Sequence, residues 1–306
     1  MSVFKLIAVA KNYIWGGTVL KERFGKISHS ETIAEAWELS CHPDGESIIE
    51  KTGEKLSEHL RKNPSACGIN CWKFSQFPVL VKLIDAEQSL SVQVHPSDEY
   101  ALKYEGQLGK TEAWYVVEAQ PEAFIYYGFK KNTSRAELLN LVKTDKLCDV
   151  LNKAPVKRGD VFFIEAGTIH AIGAGTVICE IQQSSNVTYR VYDYGRKDAF
   201  GRQRELHIEK ALEVIDFSAP KKEYDFERHI AKCRYFTADK IVSMGKYVLN
   251  VDEMSFASLV FLEGSGSISN ELSRLSFQKG DSIFIEACSG AVTIDGGFEA
   301  ILTYVE

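Results

Sequence analysis

Short runs of β-branched and aromatic residues follow one another along the first two thirds of this chain. Asp, Gly, Pro and Ser lie between many of these runs, as is typical of strands joined by turns. Many short strands with few helices favour a β-sandwich or a β-barrel. The predicted strands are 77–85, 90–96, 112–119, 123–129, 161–166, 176–183 and 187–194.

Helical spacing of apolar residues is confined to a few segments. We predict helices over 45–63, 134–153 and 207–217, with Ser134 as the N-cap of the second. The chain is therefore expected to be mainly β with a few helices.

An internal repeat divides the chain. GDVFFIEAGTIHA (159–171) and GDSIFIEACSGAV (280–292) align without a gap at a separation of 121 residues. A repeat indicates that one supersecondary unit was used twice. Ala291 stands in the second copy where the first has His170, so the simplest interpretation is that only the first copy keeps a chemical task. A charged, strand-poor joint at 220–229 predicts a catalytic domain at 1–219 and a degenerate domain at 220–306.

Composition excludes some classes of partner. The chain has 306 residues and a net charge of −6, which argues against nucleic acid and against an anionic membrane surface. The apolar run near the start, Leu6–Ala10, is too short for a secretory signal, and no window approaches the length of a transmembrane helix. The seven cysteines are scattered and are expected to be reduced thiols of a cytoplasmic protein.

The segment SVQVHPSDEYA (91–101) has the pattern of a strand that ends in a turn. Side chains alternate along a strand, so Ser91, Gln93 and His95 share one face, and Pro96 ends the strand. A polar face at the end of a strand is a candidate ligand site.

Two further segments supply metal-ligand chemistry. Glu112 opens a strand with Lys110 two residues before it, and His170 follows a turn at Gly167. Taken singly, each has a structural alternative: a turn histidine bonded to backbone, or solvated residues at a loop exit. Together with the Gln-x-His pair they form a plausible set of imidazole and carboxylate ligands for zinc on neighbouring strands.

These motifs, in this order, resemble those of the type I phosphomannose isomerases, which are zinc enzymes of the cupin superfamily. The resemblance implies a cupin jelly-roll β-barrel that carries the metal site, followed by a second, degenerate cupin-like β domain. It also implies one Zn²⁺ per chain. The segments that carry the resemblance are 91–101, 109–119 and 159–172, supported by 34–45, 77–91 and 184–196.

Residue roles follow from the same resemblance. The implied zinc ligands are Gln93, His95, Glu112 and His170, and Arg190 matches the family's active-site arginine. Lys110 is implied to be catalytic, and Ser91 and Lys82 to bind substrate. The only predicted helical segment between Glu112 and His170 is 134–153, so the chain resembles the short bacterial form of the family.

The implied reaction interconverts mannose 6-phosphate and fructose 6-phosphate by proton transfer through a cis-enediol. Lys110 or a water on the metal would move the proton, and the residues alone leave both open. The implied partner is a small sugar phosphate, and the expected state is a monomer or small homo-oligomer.

Two other functions fit part of the pattern. An iron dioxygenase would use His95, Glu112 and His170 equally well. A non-catalytic sugar-binding cupin would keep the pocket without turnover. Gln93, Lys110 and Arg190 favour an enzyme that acts on an anionic sugar.

Overall fold

A computed structural model describes residues 2–198, 200–219 and 224–306. As predicted, the described chain is mainly β. The strands are β1 (Val3–Ile7), β2 (Val9–Lys11), β3 (Glu35–Leu39), β4 (Ile48–Ile49), β5 (Val79–Ala86), β6 (Val92–Val94), β7 (Glu112–Ala119), β8 (Phe124–Phe129), β9 (Leu151–Pro155), β10 (Val161–Ile164), β11 (His170–Ile172), β12 (Thr176–Gln183), β13 (Tyr189–Tyr192), β14 (Ala231–Lys232), β15 (Thr237–Val251), β16 (Ala257–Ser269), β17 (Arg274–Gln278), β18 (Ser282–Ile285) and β19 (Gly290–Tyr304).

The helices are short. Two 3₁₀ turns, Pro64–Cys67 and Ile69–Cys71, accompany them. No described helix has the length and apolar character needed to cross a membrane. The α-helices are α1 (Val19–Glu22), α2 (Leu56–Lys62), α3 (Asp98–Tyr104), α4 (Arg135–Lys143), α5 (Leu147–Val150) and α6 (Ile208–Val214).

The strands form three sheets. A six-stranded sheet has the order β10-β7-β12-β5-β3-β2, and a five-stranded sheet has the order β13-β6-β11-β8-β9. These two sheets face each other across a shared apolar core that joins Ile84 and Trp114 of the first to Ile125 and Ile172 of the second. The third sheet has the order β14-β15-β19-β16-β18-β1-β4, with β17 paired to β16.

Strand β5 shows how one sequence serves two faces. Every residue of β5 is buried. Because side chains alternate along a strand, Val81 and Leu83 enter the core shared with the third sheet, whereas Lys82 and Ile84 point between the first two sheets. The lysine of this largely apolar strand therefore points into the space between the sheets.

The predicted helices are shorter in the structure, for local reasons. Gly53 has a φ of 72°, so the segment 45–63 contains a turn before α2 begins. Asp145 has a φ of 57°, which separates α4 from α5 within 134–153. The Ser134 side chain accepts a hydrogen bond from the Glu137 backbone N–H at 3.2 Å, which confirms the predicted N-cap.

The internal repeat extends to individual hydrogen bonds. In the first copy the Gly159 N–H donates to the carbonyl of Val116 at 2.9 Å, and in the second the Gly280 N–H donates to Phe261 at 2.7 Å. Both glycines have positive φ, 92° and 88°, at the same turn before β10 and β18. The two segments are therefore the same structural unit.

The third sheet crosses the predicted boundary between 219 and 220. Strand β1 pairs antiparallel with β18, with Val3 opposite Ile285, so the start of the chain completes the sheet of the second copy. Residues 220–223 of the predicted joint lie outside the described residues. The division into 1–219 and 220–306 stays a prediction. Strand β1 belongs to the first part by sequence but pairs with β18 of the second.

Candidate active site

Three side chains meet in the space between the facing sheets. His95 follows β6, His170 opens β11 opposite Gln93, and Glu112 opens β7 on the other sheet. The Nε2 atoms of His95 and His170 lie 3.6 Å and 3.4 Å from the Glu112 carboxylate oxygens. One ligand atom from each of the three lies within 4.8 Å of the others, and all three residues are buried.

Hydrogen bonds fix the orientation of both imidazoles. Nδ1 of His95 donates to the carbonyl of Val187 at 2.9 Å, and Nδ1 of His170 donates to the carbonyl of Thr168 at 2.8 Å. A carbonyl only accepts, so each ring carries its proton on Nδ1 and turns the Nε2 lone pair toward Glu112. A backbone carbonyl bonded to the far nitrogen is the usual support of a metal-bound histidine.

The electrostatics of this cluster suit the binding of a cation. Burial, followed by the charge of nearby Lys110, lowers the pKa of His95 well below its ordinary value, and burial lowers that of His170 to about 4. Burial and then repulsion from Glu180 raise the pKa of Glu112 to about 8. Among the described residues, His95 Nε2 and Glu112 Oε1 are buried without a hydrogen-bond partner.

This donor set fits zinc. Two neutral imidazole nitrogens and one carboxylate, with lone pairs converging on one point, are ligands that zinc prefers. Gln93 lies beside them, since its Nε2 is 3.3 Å from His170 Nε2. Rotation of this amide by 180° would direct its oxygen to the same point.

Two lysines and a second carboxylate surround Glu112. Lys110 Nζ lies 2.8 Å from Glu112 Oε2 and 3.5 Å from Glu180 Oε1. Lys82 Nζ lies 3.3 Å from the same Glu180 oxygen, and Trp114 Nε1 donates to the other at 3.0 Å. Lys82 Nζ also lies 3.6 Å from Glu35, so the result is a buried network in which two lysines alternate with three carboxyl groups.

The network decides which groups are charged. Burial opposes ionisation of Glu180, but Lys110 and Lys82 outweigh it and hold the pKa of Glu180 far below the ordinary range. Burial also opposes the charge of Lys82, but Glu35 and Glu180 outweigh it and raise the pKa of Lys82. Both groups are therefore ionised at neutral pH.

A cavity of about 240 Å³ leads to this network. Four cationic side chains and two carboxylates line it, so the lining favours an anion. Arg190 stands opposite Gln93 in the sheet, and its Nη1 donates to the Glu205 carbonyl at 2.8 Å. Its buried Nε has no hydrogen-bond partner in the part of the chain that the structure describes. The ionisable residues of the lining are Glu35, Lys82, Lys110, Glu180, Arg190 and Arg204.

The structure brings all the candidate residues together. Ser91, Gln93, Lys82, Lys110 and Arg190 line the cavity. His95, Glu112 and His170 form the cluster beneath it. Val92 and Val94 pack on the opposite side of β6, as the alternation predicts.

Sequence reasoning missed Glu180, Glu35 and Arg204. Glu180 had a signal, because it is the one charged residue in the strand TVICEIQQ (176–183). A carboxylate in a strand buried on both faces needs a partner there. Arg204 had none, since it reaches the cavity from an irregular segment and pairs with Asp193 at 2.8 Å.

Comparisons with known proteins agree with this site. Residues 3–125 match the model for the catalytic domain of type I phosphomannose isomerase, and residues 227–305 match the mannose-6-phosphate isomerase cupin domain. The chain is 36% identical to mannose-6-phosphate isomerase ManA of Bacillus subtilis, over 97% of each chain. It is 37% identical to mannose-6-phosphate isomerase of Streptococcus mutans, over 95% of this chain and 94% of that protein.

Solved structures give the same result. The crystal structure of the mannose 6-phosphate isomerase from Bacillus subtilis superimposes with a TM-score of 0.91 at 32% identity, and all of both chains is covered. A mannose 6-phosphate isomerase bound with zinc and yttrium has a TM-score of 0.78 over all of both chains, at 18% identity, which shows a shared fold. The cupin fold expected from the sequence is thereby confirmed, and the chain belongs to the type I phosphomannose isomerase family of enzymes.

Proposed function

We propose that this chain interconverts mannose 6-phosphate and fructose 6-phosphate and uses one zinc ion for this. The convergence of His95, Glu112 and His170 at the base of a cavity lined by cations carries the proposal. The relatives that bear this name match nearly the whole chain.

The metal would be held by His95 Nε2, His170 Nε2 and the Glu112 carboxylate, with the Gln93 amide oxygen as a fourth ligand. Bound zinc would supply a Lewis acid that polarises the carbonyl of the sugar. His95 and His170 suit this role because burial keeps both neutral, so neither has to lose a proton before it binds.

The isomerisation removes a proton from C2 of the aldose and returns it at C1 through a cis-enediol, while the hydroxyl proton of O2 passes to O1. Lys110 is the proposed proton carrier, because it lines the cavity and lies 2.8 Å from Glu112. It is thus a basic side chain that lies beside the proposed metal ligands and at the wall that a bound sugar would face. Its neutral form would accept the proton, and a neighbouring dication would favour that form. The fixed orientation imposed by Glu112 and Glu180 would lower the reorganisation needed during transfer.

Arg190 would stabilise the negative charge that develops on the sugar oxygens. Its guanidinium is half-buried, and its Nε offers an unused donor among the described residues. Ser91 and Lys82 would bind sugar hydroxyls from the walls of the cavity. Arg204 at the cavity is a further cation for the phosphate, since a guanidinium matches phosphate oxygens in pairs.

The test is conversion of mannose 6-phosphate to fructose 6-phosphate by purified protein, before and after chelation. We expect chelation to abolish turnover and added zinc to restore it. Protein that is folded and zinc-loaded but does not convert the substrate would refute the proposed reaction. Full turnover after verified removal of metal would refute the role of zinc.

A further inference from the structure

The second copy of the repeat contains a cavity of its own. Its volume is about 530 Å³, more than twice that of the catalytic cavity, and it opens among β15, β16 and β19. None of the residues assigned to the proposed reaction lines it. Its lining includes Asp239, Tyr247, Asn250, Asp252, Ala257 and Tyr304.

Hydrogen bonds show which strand positions form this cavity. The Gly167 N–H donates to the carbonyl of His95 at 2.8 Å, and the Cys288 N–H donates to that of Asp252 at 2.7 Å. Gln93 pairs with His170 across two strands, and Asn250 pairs with Ala291 in the same way. Asn250 and Asp252 therefore occupy the positions that Gln93 and His95 hold in the first copy.

The remaining metal-ligand positions carry no ligand. Glu112 stands opposite Ile164, and its counterpart Ala257 stands opposite Ile285. The counterpart of His170 is Ala291. Two methyl groups in place of a carboxylate and an imidazole leave a cavity that cannot hold a metal by the same geometry.

The charge of the cavity is also changed. Lys82 stands opposite Glu180 in the first copy, whereas the equivalent pair in the second is Asp239 opposite Leu302. Nδ1 of His229 lies 2.7 Å from Asp239, and the Tyr304 hydroxyl donates to the same carboxylate at 3.0 Å. Across the whole lining, three carboxylates (Asp239, Asp252 and Glu306) face two cations (Arg228 and Lys240), whereas four cations face two carboxylates in the first cavity, so a phosphate group is disfavoured here.

Aromatic side chains enlarge the apolar walls. Tyr247 occupies the position of Leu90, and both residues line their respective cavities. Tyr247 and Tyr304 provide ring faces, and Asn250 and Asp252 provide amide and carboxylate groups at the same opening. Ring faces with a few polar groups are the usual lining of a site for a small organic ligand, and the volume lies in the usual range.

We propose that this C-terminal cavity is a second ligand site, built on the strand positions of the active site, that binds an uncharged sugar instead of a sugar phosphate. A copy that keeps only the fold would gain stability by filling its interior, because protein cores are close-packed. Here Ala257, which lines the cavity, is smaller than the glutamate at the equivalent position of the first copy, and the space remains open.

The experiment is saturation-transfer NMR with D-mannose and methyl α-D-mannoside as probes on the full, zinc-loaded chain. Excess mannose 6-phosphate, allowed to reach equilibrium with its product, occupies the catalytic cavity. We expect the mannose signal to persist under these conditions. Tyr247→Ala should weaken mannose affinity at least tenfold, while Tyr104→Ala, at an exposed tyrosine, should leave it unchanged.

Turnover of mannose 6-phosphate separates this proposal from the proposed function. We expect Tyr247→Ala and Asn250→Ala to keep turnover within about twofold of the parent, which also reports that the protein is folded. Absence of saturation transfer for both probes would overturn the second site. If mannose 6-phosphate displaces mannose, or if neither substitution changes mannose affinity, then mannose binds elsewhere. Either result would overturn the second site.

Discussion

Replacement of Glu180 by glutamine tests the buried ion network directly. The Glu180 carboxylate is 3.3 Å from Lys82 Nζ and 3.5 Å from Lys110 Nζ. At an effective dielectric constant of roughly 20, each contact corresponds to about 5 kcal/mol of Coulomb attraction. Desolvation of the three charges offsets part of this, so removal of one charged partner should cost about 3–5 kcal/mol.

Differential scanning calorimetry of chelated protein is the assay, so that bound metal does not contribute. At about 2–4 °C per kcal/mol, the midpoint of thermal unfolding should fall by roughly 6–20 °C. The matched control is Glu213→Gln, which breaks an exposed pair with Arg135 at 2.9 Å. Exposed pairs contribute about 0–1 kcal/mol, so the control should shift the midpoint by only a few degrees.

A third variant separates charge from packing. The double variant Glu180→Leu, Lys82→Met removes two opposite charges that contact each other. It should regain part of the stability that Glu180→Gln loses, because Lys110 then keeps Glu112 as its partner. Equal midpoints for Glu180→Gln and Glu213→Gln would refute the reasoning, since they would show that the buried charges do not stabilise one another.

Three further predictions concern the metal site. His170→Ala should abolish turnover and lower zinc content measured by atomic absorption, whereas the exposed control His29→Ala should change neither; retained zinc would contradict the ligand assignment. Arg190→Ala should reduce turnover and leave zinc content unchanged, and loss of zinc would contradict its proposed role. In chelated protein, burial raises the pKa of Glu112 from its ordinary value of 4.5 to about 8, so the folded state holds a proton that the unfolded chain releases. Because His95 and His170, whose pKa values are lowered, take up protons on unfolding only below about pH 7, the effect of Glu112 is isolated above that pH. The melting temperature in chelator should therefore fall as pH rises from about 7 to 8, and zinc should remove this fall; a flat profile in chelator would show that burial does not raise the pKa of Glu112.

The strands of the first copy could be read from the sequence because their signal is local. β7 and β12 have the predicted bounds, and the other predicted strands differ by a few residues at their ends. Helices over 45–63 and 134–153 were overestimated, since residues with positive φ at Gly53 and Asp145 interrupt them. Periodicity of apolar residues continues across such a turn and does not report it.

Strands whose partners are distant in sequence were missed. β1 pairs with β18, a contact that spans almost the whole chain. β15 and β19 are long strands whose outer faces are exposed, and only the sheet they form shows that they belong together. Such pairing depends on the whole fold, and no sequence pattern within either segment predicts it.

The sequence by itself determined the residue types of the metal cluster and the faces on which they lie, because the period of a strand is two. The alternation along this segment puts Ser91, Gln93 and His95 on one face, whichever strand pairs with it. Only the tertiary structure decided that Glu180 and Lys82 share a charge network with Lys110, and that Arg204 reaches the same cavity. Side chains from separate strands meet only after the sheets face each other, and burial then fixes their charges, which no local pattern records.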